Sequence, residues 1–254
     1  MINLYADDTA ISATYKNTKS VTIALNKHLA LLEKYFNDWK IKINVDKTVA
    51  VLFTKARKPI APPTLYSTPL RWSQTTKYLG ITFDKPLTWK PHILYARDKF
   101  RIALKKLYPL IGRNSNMYLY NKVLLYTAVL RPILSHGCPI WGYAANTNIK
   151  ILETAQNSII RCIVRACRYN SNENIYRAIK IPPFKKHIQD LAKNFYDNLP
   201  NINNINIINL ENYTPLDTQK RPRRILLDSY NPPCRCLSLG IWLAKRASIP
   251  YLNK

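Results

Sequence analysis

The strongest constraint on this chain is a change of hydrophobic period near Pro86 and Pro91. Before it, apolar residues come mainly in short alternating runs. Ile2 and Leu4 precede Tyr5-Ala6-Asp7-Asp8, and Ala10, Ile11 and Ala13 follow. Val49, Val51 and Phe53 alternate, and Leu70-Arg71-Trp72 and Tyr78–Phe83 complete a set of short strands. One helical stripe interrupts them: Val21, Leu25, Leu29, Leu32, Phe36 and Trp39 recur every three or four residues and predict a core-facing helix. Ile41-Lys42-Ile43 reads as a further strand, and Asn44–Lys47 as the turn before Val49. From His92 onward the pattern is helical, with helices expected at about 92–109, 116–130, 147–168 and 183–197. The prediction is an α+β chain: strands with one covering helix first, then a mostly α-helical region.

Charge narrows the class of partner. The 254 residues carry 39 Lys and Arg against 14 Asp and Glu, a formal net charge of +25. Handling a small metabolite does not require such an excess, whereas following a phosphate backbone does. An anionic membrane surface or a ribosomal setting would also account for it. Lys85, Lys90, Arg97, Lys99, Arg101, Lys105, Lys106, Arg113, Lys122 and Arg131 lie in one stretch whose only acid is Asp98. Helices with this bias neutralise phosphates without reading sequence. The interleaved Tyr95, Phe100, Tyr108, Tyr118, Tyr120 and Tyr126 serve either stacking or helix packing.

The five cysteines, at 138, 162, 167, 234 and 236, follow no disulfide framework. Neither Cys234-Arg235-Cys236 nor the pair Cys162 and Cys167 has zinc-ligand spacing, so ordinary reduced thiols are expected. The first residues lack the pattern of a signal peptide, and the longest charge-free stretch, 132–149, is too polar for a membrane span. An intracellular protein, nuclear or cytoplasmic and without a membrane segment, is the expectation.

Asp7 and Asp8 are the candidate chemistry. Two adjacent carboxylates at a tight turn repel each other. They are favourable where divalent metals of a phosphoryl-transfer site bind, or where the turn is simply solvated. The order of the other motifs then resembles one family, the reverse transcriptases of non-LTR, jockey-like retrotransposons. Tyr5-Ala6-Asp7-Asp8-Thr9 resembles their catalytic palm hairpin, and Ile43-Asn44-Val45-Asp46-Lys47-Thr48 their next palm motif. Tyr78-Leu79-Gly80-Ile81 resembles the primer-grip hairpin. Leu130–Gly137 with Trp141-Gly142, and Gln156–Arg161, resemble segments after the thumb.

The resemblance spans roughly residues 1–195. It implies RNA-templated DNA synthesis with Mg²⁺, an RNA template–DNA primer duplex as partner, and residues 1–54 as the later part of a palm. Residues 55–90 would be a linker with the grip hairpin, 91–135 the thumb, 136–199 a C-terminal helical region and 200–254 a basic, partly ordered tail. Asp7 and Asp8 would hold metal, Lys47 would protonate the leaving group, and Tyr78, Leu79, Gly80 and Ile81 would place the primer end. Lys90, Arg97, Lys99, Arg101, Lys105, Lys106 and Arg113 would hold the duplex. The fingers and the palm strand with the other metal-binding aspartate are not among these residues. The expectation is a truncated polymerase, inactive alone, whose natural partner is the missing N-terminal part. The alternatives are a non-enzymatic nucleic-acid-binding remnant, in which only the basic helices act, and a decayed reading frame without a role.

Overall fold

The computed structural model describes residues 2–5, 8–15, 18–41, 43–54, 61–202 and 241–244. It divides into two compact units, residues 1–87 with the stretch from 236 onward, and residues 88–235.

The first unit is built on a mixed sheet. Strands β1 (Ile2–Tyr5) and β2 (Asp8–Ile11) form a hairpin with Tyr5 opposite Asp8 and Ile2 opposite Ile11. Helix α1 (Thr18–Asp38) follows, then β3 (Val49–Leu52). Short strands β4 (Thr64–Leu65), β5 (Thr68–Pro69) and β6 (Arg71–Trp72) lead into the hairpin β7 (Thr75–Tyr78) and β8 (Ile81–Asp84). A last strand, β9 (Ile241–Ala244), enters from the far end of the sequence. The sheet order is β1-β2-β9-β3-β6, with β9 antiparallel to both neighbours and β6 parallel to β3.

The stripe of α1 works as its period predicts over most of its length. Val21, Leu25 and Leu29 are buried with Ile11, Ala13, Ile43, Ala50, Leu52, Leu65 and Leu70. Leu32 and Phe36 pack at the margin, but Trp39 is 66% exposed and stands against Tyr35 rather than in the core. Polar residues of α1 hold the following loop. Asn26 accepts from the Thr64 N–H at 3.0 Å, and Glu33 accepts from the Tyr66 N–H.

Neither Ile41 nor Ile43 lies in a strand, and Lys42 is outside the described residues. Lys40 takes a left-handed conformation (φ 53°), the Ile41 N–H returns to the Phe36 carbonyl at 2.8 Å, and the Lys40 N–H to Asn37 at 3.1 Å. This is a Schellman cap, in which the apolar residue after the helix folds back on its last turn. Arg165 and Lys180 close two later helices with the same pair of bonds, at φ 53° and 56°. With only 5 glycines in the sequence, basic residues take the position that glycine usually fills, where their charge also suits the negative end of the helix.

The second unit is helical. It comprises α2 (Lys90–Ile111), α3 (Leu119–Leu125), a π-helical turn at Tyr126–Leu130, α4 (Arg131–Ser135), α5 (Cys138–Trp141), α6 (Asn146–Ile163), α7 (Asn172–Ala178) and α8 (Phe184–Asn198). A 3₁₀ turn, Leu199–Asn201, ends it. The helix expected at 116–130 begins at Leu119 and passes from α-helix into the π-helical turn, and α4, α5 and α7 are additional. Ser171 caps α7, accepting from the Asn174 N–H at 3.3 Å. Among the described residues, no helix is long and apolar enough to cross a membrane. Cys138, Cys162 and Cys167 are free thiols, Cys138 buried with its pKa pushed up to about 12 by burial.

Candidate functional site

The first hairpin sets Asp8 at the start of β2, opposite Tyr5, so that the strands are joined by a two-residue turn. Asp8 is half-buried and Tyr5 is 64% exposed. Ala6 and Asp7 lie outside the described residues. From Thr9 onward the strand turns inward, because Ala10 and Ile11 are both buried in the core of the sheet. The carboxylate end of the strand is therefore its solvent end, held on an apolar base.

The second hairpin is a separate two-stranded sheet set against β3. Tyr78 pairs with Ile81 across Leu79-Gly80, and both turn residues have positive φ, 48° and 81°. That geometry is a type I′ turn, whose twist matches the paired strands. Gly80 adopts it freely, while Leu79, a bulky residue in the left-handed region, carries local strain and points out, 42% exposed. Phe83 of this hairpin packs edge-on against Phe53, with ring centroids 6.4 Å apart, and the Ser73 N–H donates to the Ala50 carbonyl at 2.8 Å. These contacts fix the hairpin against the end of β3. Tyr78 is thereby buried near Asp8. Its phenol pKa is raised, first by burial and second by the negative charge of Asp8. Of the residues predicted for the site, Tyr78 feels the charge of Asp8, and Leu79, Gly80 and Ile81 follow Tyr78 on the same turn.

Lys47 sits apart from them. The turn before β3 is a polar one, with the Lys47 N–H donating to Asn44 Oδ1 at 3.1 Å and Thr48 Oγ1 to the Asn44 carbonyl at 2.9 Å. The lysine side chain is exposed, and no ion pair joins it to Asp8 among the described residues.

Among the described residues, no three His, Cys, Asp or Glu side chains gather closely enough to hold an ion. Asp8 offers one carboxylate, and Mg²⁺ binds through one or two carboxylates together with phosphates and water. The described donor set does not make a metal site by itself.

The helical unit carries the basic surface. On α2, Arg97, Arg101 and Lys105 follow at four-residue spacing, one above the other along the helix. Arg97 is held by Asp98 at 2.9 Å, Arg101 reaches the same carboxylate at 3.8 Å, and Lys105 is exposed. Lys90, Lys106 and Arg113 are exposed too, and the Lys99 ammonium lies 5.1 Å from the centre of the Tyr95 ring. Tyr108, Tyr118 and Tyr120 stand beside these cations in sequence and are exposed, whereas Phe100 and Tyr126 are core residues.

Lys122 and Arg131, counted with the basic face from sequence, belong to the interior. The Lys122 ammonium, 3% exposed as a residue, donates to the carbonyls of Gly112 and Ser115 at 3.1 and 3.0 Å. Arg131 is buried, donates to the Pro182 carbonyl at 2.9 Å, and has a pKa lowered chiefly by burial.

Residues around Leu130–Gly142 and Gln156–Arg161 are also interior. Leu130, Leu134, Cys138 and Trp141 are buried, and Trp141 donates its indole N–H to the His136 carbonyl at 2.7 Å. Gly142 sits so close to the Cys138 carbonyl that a Cβ there would lie 2.6 Å from the oxygen. Gln156 links two phenols, accepting from Tyr126 and donating to Tyr176, whose hydroxyl in turn donates to Asn157. Arg161 clamps the following loop through the carbonyls of Cys167 and Asn170 at 2.6 and 2.7 Å. These motifs build the unit rather than its surface.

Residues 1–83, which hold the two hairpins and the helix between them, match the family model described as reverse transcriptase (RNA-dependent DNA polymerase). The chain resembles curated relatives that are polymerases of mobile elements. Over 199 residues it is 29% identical to "RNA-directed DNA polymerase from mobile element jockey" of Drosophila melanogaster, and 27% identical to "Probable RNA-directed DNA polymerase from transposon X-element" of the same species. Over 201 residues it is 29% identical to "Probable RNA-directed DNA polymerase from transposon BS", also of Drosophila melanogaster. Each match covers 78% of this chain but 22% of the relative, so the chain spans under a quarter of the length of the polymerases it matches. No solved structure matches.

Proposed function

We propose that this chain is a portion of an RNA-directed DNA polymerase, with residues 1–87 serving as palm and α2 and its neighbours as the thumb that holds a template–primer duplex. The observation that carries the reading is the match of residues 1–83 to the reverse transcriptase model, which takes in both the strand that starts at Asp8 and the strained turn after Tyr78. The charge of Asp8 acts on the buried Tyr78 phenol, which supports a primer end placed next to a metal-binding carboxylate. Reverse transcriptases use divalent metal ions. In this reading Asp7 and Asp8 are acids of the Mg²⁺ site, with the donor set completed by groups outside the described residues. Lys47 acts on the leaving group once substrate is bound. Leu79, Gly80 and Ile81 shape the seat of the primer end. Lys90, Arg97, Lys99, Arg101, Lys105, Lys106 and Arg113 neutralise phosphates of the duplex without reading its bases.

The test is binding of a fluorescent RNA–DNA hybrid as a function of salt, together with primer extension. Arg101→Glu combined with Lys105→Glu is expected to weaken hybrid binding at least tenfold and to flatten its dependence on salt. Asp8→Ala is expected to leave that binding intact and to abolish any primer extension by a complex in which the rest of the polymerase is supplied. Binding unchanged by the charge reversals defeats the thumb assignment. Extension that survives Asp8→Ala defeats the palm assignment.

A second reading, binding without catalysis, is favoured by the row Arg97, Arg101 and Lys105, of which Arg101 and Lys105 are exposed and which needs nothing from the first unit to meet a phosphate backbone. It is distinguished by hybrid binding together with absent extension in that completed complex.

A further inference from the structure

In the first unit the strands β2 and β3 run parallel, joined by α1, yet they are not neighbours. A position one strand wide lies between them, and β9 fills it, antiparallel to both walls. Leu243 stands opposite Ile11 on one side and Ala50 on the other, while Val49, Val51 and Leu52 pair with Ala244, Trp242 and Ile241.

The walls are apolar, with Ala10, Ile11, Ala50, Val51 and Leu52 all buried. Each wall also carries a row of backbone N–H and C=O groups that only a paired strand can satisfy. The frame around the position is continuous in sequence from β1 to β6 and has its own core, Val21, Leu25 and Leu29 of α1 against Ile11, Ala50 and Leu52. The occupant is different in kind. It comes from the far end of the chain, it is four uncharged residues, Ile-Trp-Leu-Ala, and it is followed at once by Lys245-Arg246.

We propose that the space between β2 and β3 is a strand-acceptor site, and that Ile241–Ala244 is its exchangeable occupant. The partner it takes is an extended, uncharged, apolar peptide strand running antiparallel to both walls, which a second copy of residues 241–244 supplies in trans. Recognition is mainly by backbone ladder, with side-chain size limited by the buried walls. The occupant also decides which side chains flank the strand that begins at Asp8, and Ile-Trp-Leu-Ala brings no carboxylate to it.

The test uses the full chain carrying Ala50→Cys and Leu243→Cys, whose Cα atoms are paired across the ladder. Mild oxidation is expected to give a disulfide between these two positions, identified by mass spectrometry of its peptides. It should form several-fold faster than in the offset pair Ala50→Cys and Trp242→Cys. A labelled peptide of residues 237–247 is then added and its anisotropy followed. The reduced chain is expected to take up the peptide slowly and saturably, the oxidised chain at least tenfold less, and the Leu243→Pro peptide not at all. Cross-linking no faster than the offset pair overturns the placement of the strand. Uptake that is absent from the reduced chain, or equal in the two redox forms, overturns exchange. None of these readouts involves nucleic acid, Asp7 or Asp8, so the failure of the polymerase reading leaves the outcome unaffected.

Discussion

The two units hold their recognisable residues in opposite ways. In the sheet unit the motif residues stand at turns: Asp8 at a strand end, Lys47 in a polar loop, Leu79 and Gly80 at a strained tip. In the helical unit they are inside: Trp141 with no exposed surface, Gln156 between two phenols, Lys122 and Arg131 spending their charges on backbone carbonyls. The motif residues of the first unit stand at its turns, whereas those after α2 in the second unit build its scaffold. Substitutions should therefore separate the units, with folding failing in one and chemistry in the other.

The largest effect is expected at Trp141. Replacing it by alanine removes a fully buried indole and its bond to the His136 carbonyl, at a cost of about 3–5 kcal/mol. Thermal or urea unfolding followed by circular dichroism measures it. A loss below about 1 kcal/mol would break the scaffold side of the comparison.

Next comes pH. His92 and His187, both in the helical unit, have pKa values lowered to about 4. For His92 the main cause is burial, then the nearby His136; for His187 it is burial, then the charge of Arg131. Their unfolded values are near 6.5, so between 6.5 and 4 the unfolded chain binds more protons than the folded one. Stability is then full above about pH 6.5 and falls as pH drops through that window, on the order of 3 kcal/mol for His92. Urea midpoints from pH 7.5 to 4.5 test the sign, and a flat or rising profile on acidification contradicts it. His92→Phe should remove part of the slope.

The smallest effect tests the caps. Lys40→Gly is expected to stabilise the sheet unit by up to about 1 kcal/mol, since glycine takes the left-handed position without the cost borne by a side chain. A destabilised variant would show that Lys40 contributes something beyond its backbone conformation.

The same contrast explains what could be read in advance. The long helices were legible because their burial follows the 3.6-residue period, as Val21, Leu25 and Leu29 show. Their ends were not, because Lys40, Arg165 and Lys180 occupy capping positions where a glycine would have marked the stop. Periodicity alone runs Tyr78–Phe83 as one strand, because Leu79 is a residue that turn chemistry does not favour, and the hairpin there is indicated only by the family resemblance. For the candidate site, the residue types at Asp8 and Tyr78 were visible, but the packing of Phe83 on Phe53, which sets the second hairpin against β3, leaves no local pattern. Lys122 and Arg131 were misplaced on the surface because composition records charge and not exposure. Beta pairing across the whole chain left no local sign that Ile241–Ala244 belongs at the centre of a sheet.

That central strand also imposes an order on assembly. The hairpin, α1 and β3 leave the ribosome well before the strand that lies between β2 and β3, which is separated from them by the whole helical unit. For all the time between, two apolar strand edges face each other with their ladder groups unpaired, the condition in which nascent chains associate wrongly. The sheet lacks one strand until Ile241–Ala244 arrives to pair both edges.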